Sequence, residues 1–392
     1  MKHHIFSFRF PAAVCKRNPY LRAAVCLAVL LLLVSLFAIP MGIANALNTM
    51  MNTAYRLLID TAFYIMALAV MTGAISAVFA EYGVVALLNR LLSPVMKPLY
   101  GMPGAAAVGV VTTYLSDNPA ILTLAHDSQY RRFFRPDQIP ALTNLGTSFG
   151  MGLIVTTFIL GLTLPDGSGT LLPALCGNLG AVCGSIVSTR LMLRLTGPVT
   201  KSTASAAEES HAPDTIQPAA ESRPHLLSAL MNGGKAGVEL GMGIIPGLLI
   251  ICTLIMMLTN GPSADGFYTG AAYEGIALLP TLAEKLDFLL TPLFGFSHPA
   301  AVAVPVTALG SAGAAMGIIP GLLATGQANG GDLAVFTAMC MCWSGYLSTH
   351  VSMMDVLDSS HLTGKAIFSH TIGGLCAGAA AHWLYVLVQT IL

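Results

Sequence analysis

Charge is what this sequence has least of. Only 9% of its 392 residues are Asp, Glu, Lys or Arg, against roughly 25% in soluble domains. The two signs also cancel, with 18 residues of each. The scarcity excludes an ordinary soluble globule, and the balance gives no general attraction to nucleic acid or to acidic partners. No CxxC pair occurs among the eight cysteines, which lie mostly in apolar runs and read as small buried hydrophobes rather than disulfides or a metal site. Cys340 and Cys342 are two apart, so on a helix they point in different directions. No nucleophile–base or carboxylate pair stands out, and an enzyme is not expected. Apolar residues fill the chain instead, at 55% of positions with a mean hydropathy of +0.74. An integral membrane protein is implied.

An internal repeat is present. Placing residues 98–120 over 292–314, an offset of 194, matches 10 of 23 positions: Pro98, Leu99, Gly101, Ala106, Ala107, Val108, Val110, Thr113, Leu115 and Ala120. Chance would give roughly 2 to 3 in a chain of this composition.

Along the chain, the basic residues Lys2, Arg9, Lys16, Arg17 and Arg22 precede an apolar run, Ala23 to Ala44. Ala44-Asn45-Ala46 has the form of a signal-peptide cleavage site, but the run is long enough to cross a ~30 Å hydrocarbon core. We read a retained helix with a cytoplasmic N-terminus, emerging outside near Asn48. Leu57–Phe79 returns inward, and Val84–Tyr100, with Arg90 and Lys97, suits an interfacial helix. From Gly104 to Ser116 is about 18 Å of helix, half a bilayer, and it ends at Ser116-Asp117-Asn118-Pro119. Such residues stop one helix and start another, so a re-entrant hairpin is expected, with a second arm from Pro119 to about Phe134. The hairpin keeps Arg131, Arg132 and Arg135 on the side of Arg90 and Lys97, as the positive-inside rule prefers.

Further spans are expected at Ile139–Leu162, Leu171–Leu193, Gly237–Leu258, Leu333–Met353 and Ala366–Leu392. Ile276–Phe294 repeats the interfacial helix, and His298–Leu323 forms a second hairpin with its tip at Gly310-Ser311-Ala312-Gly313. The fold class is therefore an all-α polytopic membrane protein, an inverted-topology repeat with about seven transmembrane helices and two re-entrant helical hairpins. Its expected divisions are an N-terminal cytoplasmic segment and first helix (1–56), a first gate-like repeat (57–196), a polar cytoplasmic linker (197–225) and a second, inverted repeat (226–392). Broken helices and hairpins meeting at the midplane are the usual construction of secondary transporters. Irregular backbone at that depth needs protein or a watery cavity to satisfy it.

The succession of interfacial helix, PLYGMPGAAAV hairpin and polar broken helix, duplicated as PLFGFSHPAAV and the elements after it, resembles the nucleoside-recognition or gate-domain membrane proteins. Their fold is similar to that of concentrative nucleoside transporters. The resemblance covers nearly everything except the first span and the linker, and implies a permease for a small polar organic solute, nucleoside-like, coupled to Na⁺ or H⁺, with no other cofactor. Carried over element by element, it places solute contacts on Ser116, Asp117 and Asn118, on Thr143, Asn144, Thr147 and Ser148, on Gly310 and Ser311, and on Ser344, Ser348 and Thr349. The first hairpin lacks the Gln/Glu pair that those transporters use on sugar hydroxyls, leaving Asp117 as the acceptor there. A homo-oligomer in a bacterial plasma (inner) membrane is expected.

The residues keep alternatives open. Asp117 at mid-membrane is costly, ~2.5 to 3.5 kcal/mol on insertion scales, which favours a functional group such as a ligand of the coupling cation. As a helix cap it would need no ligand. Thr143, Asn144, Thr147 and Ser148 share one helix face, which can line a cavity or bond neighbouring helices. The same family also admits a non-transporting membrane assembly or signalling component, as in spore maturation, and a divalent metal-ion permease.

Overall fold

In the computed structural model, the residues described are 19–118, 120–121, 128–200, 225–263 and 265–391. The basic residues Lys2 to Arg17, residues 119 and 122–127 of the expected second arm of the first hairpin and most of the linker lie outside them.

Helix α1 (Pro19–Met41) ends at Gly42, whose φ of +78° turns the chain directly into α2 (Ile43–Arg56). A π-helical stretch, Leu57–Ala62, joins α2 to α3 (Phe63–Glu81) without a break. The loop expected near Asn48 is therefore helical. Thr49 and Thr53 on α2 are buried, and its amides dock onto a loop of the second half: Asn45 Nδ2 donates to the Tyr268 carbonyl (3.0 Å) and Asn52 Nδ2 to that of Gly270 (2.9 Å). The polar side chains of this segment are satisfied by tertiary partners. The cleavage-like Ala44-Asn45-Ala46 lies within this packed helix.

Next come the interfacial helix α4 (Val84–Tyr100), the hairpin arm α5 (Ala106–Leu115), a broken span formed by α6 (Ile139–Thr147) and α7 (Gly152–Leu160), and α8 (Leu171–Thr200). The second half contains α9 (Leu226–Gly247), a π-helical turn, α10 (Thr253–Thr259), α11 (Leu278–Lys285) and α12 (Asp287–Phe294). Its hairpin is a 3-10 turn (Pro299–Val302) with α13 (Ala303–Ala308), then α14 (Ala312–Ala324). A second broken span, α15 (Gly330–Trp343) and α16 (Tyr346–Val356), and α17 (Thr363–Ile391) complete it. The chain is a polytopic all-α membrane protein. Among the described residues, six helices are long and apolar enough to cross a bilayer. The remaining expected span, 333–353, is present as two arms of 14 and 11 residues.

The repeat is visible in the backbone. Left-handed residues recur at the 194-residue offset: Gly83 (+75°) with Ala277 (+50°), Gly101 (+70°) with Gly295 (+60°), and Met151 (+55°) with Gly345 (+67°). Each pair ends or starts the same helix in its half. The halves also pack through equivalent elements in opposite directions. Gly180 faces Ala377 and Ala381, while Gly184 faces Gly373 and Ala377, so α8 and α17 run antiparallel. Gly233 meets Gly73 and Gly237 meets Ala69, which makes α3 and α9 antiparallel too. Small residues four apart let these backbones touch, the usual basis of helix association where lipid removes the hydrophobic drive.

Burial separates scaffold from centre. In the apolar window of α1, 11% of residues are buried, against 83% in that of the first broken span. Every residue of α15 except Gly331 is buried. The first broken span and α15 are thus enclosed by protein, where interrupted backbone can be satisfied, whereas α16 leaves Leu347, Val351 and Val356 exposed.

Candidate functional site

The site is built where both hairpin tips meet both helix breaks. Helix α15 stops at Ser344, leaving carbonyls with no intrahelical donor. Asn118 at the first tip donates Nδ2 to the Ser344 carbonyl at 2.7 Å. Gly150, at the break of the first span, leaves the space that this amide occupies. A Cβ there would lie 1.5 Å from Asn118 Oδ1 and 3.1 Å from Ser344 Oγ. On the other side, Gly345 N donates to the Ala308 carbonyl (2.9 Å), and a Cβ on Gly345 would press against the Gly310 carbonyl at 3.0 Å. Asn118, Gly150, Ser344, Gly345 and Gly310 therefore form one contiguous junction.

Around the first tip, the remaining polar groups make local turns. Ser116 Oγ accepts from Asp117 N (2.6 Å), and Asp117 Oδ1 accepts from Asn118 N (2.7 Å). Ser116 is exposed, Asp117 half-buried and Asn118 buried. Ser311 at the second tip caps α14 by accepting from Ala314 N (3.2 Å). Thr349 Oγ1 bonds back to the Gly345 carbonyl (3.2 Å), and the side chain of Ser348 lies outside the described residues.

Thr143, Asn144, Thr147 and Ser148 are completely buried and form a layer beside the junction. Asn144 Nδ2 lies within reach of Ser188 Oγ (3.0 Å), Ser369 Oγ (2.8 Å) and the Ala366 carbonyl (3.2 Å), joining α6 to α8 and α17. Ser148 Oγ returns to the Asn144 carbonyl (2.8 Å), and Thr147 Oγ1 approaches Met353 Sδ (3.9 Å). Inter-helix bonding thus occupies the amide nitrogen of this face. Its oxygens differ: Asn144 Oδ1 and Thr143 Oγ1, like Asn118 Oδ1 and Trp343 Nε1, have no hydrogen-bond partner among the described residues. Buried polar atoms left this way cost about 1–3 kcal/mol each, a cost that a polar ligand or water bonded to them would remove.

Three features here go beyond what the sequence could place. His350 and His370 lie on different helices with ring centroids 4.5 Å apart, beside Tyr346. His370 Nδ1 meets Ser188 Oγ (2.9 Å) and its Nε2 meets the Cys342 carbonyl. The only sequence signal was histidine inside apolar runs. Second, Tyr114 of the first hairpin bonds Asn178 Oδ1 (3.0 Å) and Thr156 (3.1 Å), which ties the arm to α7 and α8. Third, Asp332 is wholly buried yet fully engaged. It accepts from Ser297 N (3.0 Å), Ser297 Oγ (2.5 Å) and Asn329 N (2.8 Å), which fastens the start of the second hairpin to the start of α15. The Asn329–Asp332 spacing of a capping box was its signal. Among the described residues, no three His, Cys, Asp or Glu side chains converge as metal ligands would.

No family model matches the sequence, and no curated protein matches it. Solved structures do. The chain superposes on CNTnw, a concentrative nucleoside transporter, in an outward-facing state with a TM-score of 0.54 and 14% identity, over 96% of this chain and 89% of that one. An inward-facing substrate-bound state of CNTnw matches with a TM-score of 0.52 and 15% identity, over 84% and 75%. A third state, intermediate 2, gives 0.53 and 16%, over 83% and 76%. The fold is thus shared with these CNTnw structures. These structures are transporters rather than enzymes.

Proposed function

We propose that this protein is a secondary transporter of a small polar organic solute, nucleoside-like, driven by a Na⁺ or H⁺ gradient. The observation that carries the reading is the junction itself: two hairpin tips and two helix breaks from opposed repeats, joined by the Asn118–Ser344 hydrogen bond and bordered by unpaired polar atoms. Discontinuous helices at a repeat interface are where secondary transporters bind solute and coupling ion. The likeness to CNTnw in outward-facing, intermediate and inward-facing states supports a fold able to alternate.

In this reading Asn118, Thr143, Asn144 and Ser344 present the solute with donors and acceptors, as Ser116, Thr147, Ser148, Gly310, Ser311, Ser348 and Thr349 do when the tips part. Asp117, with the Ser116 and Asn118 oxygens, faces the coupling cation, since hard cations take oxygen ligands. The division into opposed repeats at 57–196 and 226–392, a cytoplasmic N-terminus and a bacterial inner membrane complete the proposal.

Uptake into proteoliposomes under imposed Na⁺ and pH gradients tests it, across a panel of nucleosides, nucleobases and other small polar solutes. Gradient-dependent accumulation of at least one solute is expected. No gradient-dependent flux for any of them would sink the reading.

A further inference from the structure

We propose a second site, separate from the central junction: the cavity under α4 binds a phosphate-bearing anion, with an anionic phospholipid headgroup the source the geometry favours. The cavity has a volume of about 840 Å³ and opens between α4, the Gly101–Gly104 turn and the segment leading into α6. Arg90, Lys97 and Arg135 line it. Asp137 pairs with Arg135 at 2.9 Å. Among the described residues, neither Arg90 nor Lys97 has a carboxylate within ion-pair distance. Two exposed cations one heptad apart on one helix thus face a concave space without a counter-ion.

The position favours a lipid. Leu91, Val95 and Leu99 are exposed on α4, an apolar stripe suited to the acyl boundary beside a cationic face, as in helices that lie in the interface. The cavity walls are themselves divided, with Met102 and Phe133 contributing apolar surface beside the cations. Inorganic phosphate would leave most of this volume empty, whereas a headgroup with its glycerol would reach both walls. Arg131, Arg132, Arg190, Arg194 and Lys365 fall on the same end by the charge pattern, the end placed against the anionic cytoplasmic leaflet. Basic pockets there take anionic headgroups.

Occupancy would bear on the first hairpin. Gln138 Nε2 already donates to the Gly101 carbonyl (3.1 Å), and Ser93 Oγ to that of Gly104 (3.1 Å). A phosphate spanning Lys97 and Arg135 adds a second tie between the end of α4 and the segment that starts α6.

Native mass spectrometry of the full chain, titrated with dioleoylphosphatidylglycerol or dioleoylphosphatidylcholine, tests this, with inorganic phosphate as competitor. The wild type is expected to retain phosphatidylglycerol preferentially. Arg90→Gln with Lys97→Gln should weaken retention about 25-fold, at about fivefold per interfacial cation. Arg194→Gln, on the same end but outside the cavity, should change it less than about twofold, as should the charge-keeping pair Arg90→Lys with Lys97→Arg. If millimolar phosphate displaces the lipid from the wild type, the site takes free phosphate; if not, the lipid is the ligand. Equal retention of the two lipids without phosphate binding overturns the proposal. So does unchanged retention in the Gln pair, whose fold is checked by its melting temperature.

Discussion

The two halves share a backbone but not a chemistry. At the offset of 194, left-handed residues fall at Met151 and Gly345, and the joint that holds each hairpin base to its broken helix falls at Gln138 and Asp332. Gln138 makes that joint with a neutral amide donating to Gly101, whereas Asp332 makes it with a buried carboxylate that accepts three bonds. The tips diverge further, since Asn118 reaches across to Ser344 while the residue aligned with it, Ala312, has nothing to reach with. Conserving geometry while varying side chains keeps both hairpins at the centre and leaves only one of them able to bond the opposite break. The asymmetry assigns the polar work to the first tip and the receiving carbonyl to the second half.

The largest test of that assignment is at the helix breaks. Gly150→Ala would put a Cβ 1.5 Å from Asn118 Oδ1, so the tip must withdraw and lose its bond. Uptake should fall on the order of tenfold or more, since misplacing a site by about 1 Å is that costly, with helical content unchanged by circular dichroism. Ser344→Ala, at the aligned position, keeps the carbonyl that Asn118 uses and removes only one solute-facing hydroxyl, so its loss of uptake should be severalfold smaller. Equal losses in the two variants would contradict the asymmetry.

Next in size is the acid that only the first tip carries. Asp117→Asn can still accept the hydrogen bond from Asn118 N, so the turn should hold while dependence on the coupling cation disappears. Flux measured against Na⁺ and proton gradients decides between the roles, because unchanged coupling would return Asp117 to capping. Ser311→Ala removes only a cap hydrogen bond, worth about 1 kcal/mol, and should leave coupling intact.

The joints come third. Asp332→Ala strips several hydrogen bonds to a charged acceptor and leaves Ser297 and Asn329 donors unpaired, for a loss of about 3 kcal/mol. Gln138→Ala removes neutral bonds at the same place and should cost about 1 kcal/mol. Thermal unfolding in detergent compares them, and a Gln138→Ala loss equal to that of Asp332→Ala would mean that charge adds nothing to the joint.

Much of this was legible before the structure. Half-bilayer lengths and arginine placement pointed to the hairpins, and the Ser116–Pro119 stop marked the first tip. What stayed hidden depends on distances in space. The helix over 45–56 was not foreseen, because nothing in the chain shows that residues 268–274 satisfy its polar groups. Asn144 could not be divided between solute and packing without Ser188 and Ser369, which arrive from two other helices. The His350–His370 contact joins residues on separate elements, and helical periodicity cannot report it. Glycine faces such as Gly180 and Gly184 were readable as small-residue spacing, though their partners were not.

The smallest test lies where the halves part company at the membrane edge. In the first half, α3 ends at Glu81 and α4 begins at Val84; in the second, residues 260–277 separate α10 from α11. Glu274 folds that insertion, accepting from Thr269 N (3.0 Å), Thr269 Oγ1 (2.6 Å) and Gly270 N (3.0 Å), with Thr49 of α2 nearby (3.5 Å). Burial alone would raise its pKa, but these hydrogen bonds outweigh it and hold the carboxyl below its ordinary value of 4.5. A carboxylate depressed on folding stabilises fully above its unfolded value, and that contribution is lost as pH falls through the folded one. Acidification from about pH 6 to about pH 4 should therefore lower the melting temperature of the wild type by a few degrees more than that of Glu274→Gln, which starts lower and has no charge to lose. Parallel slopes for the two proteins would show that the insertion is held by its backbone turns and the α2 amides rather than by this carboxylate.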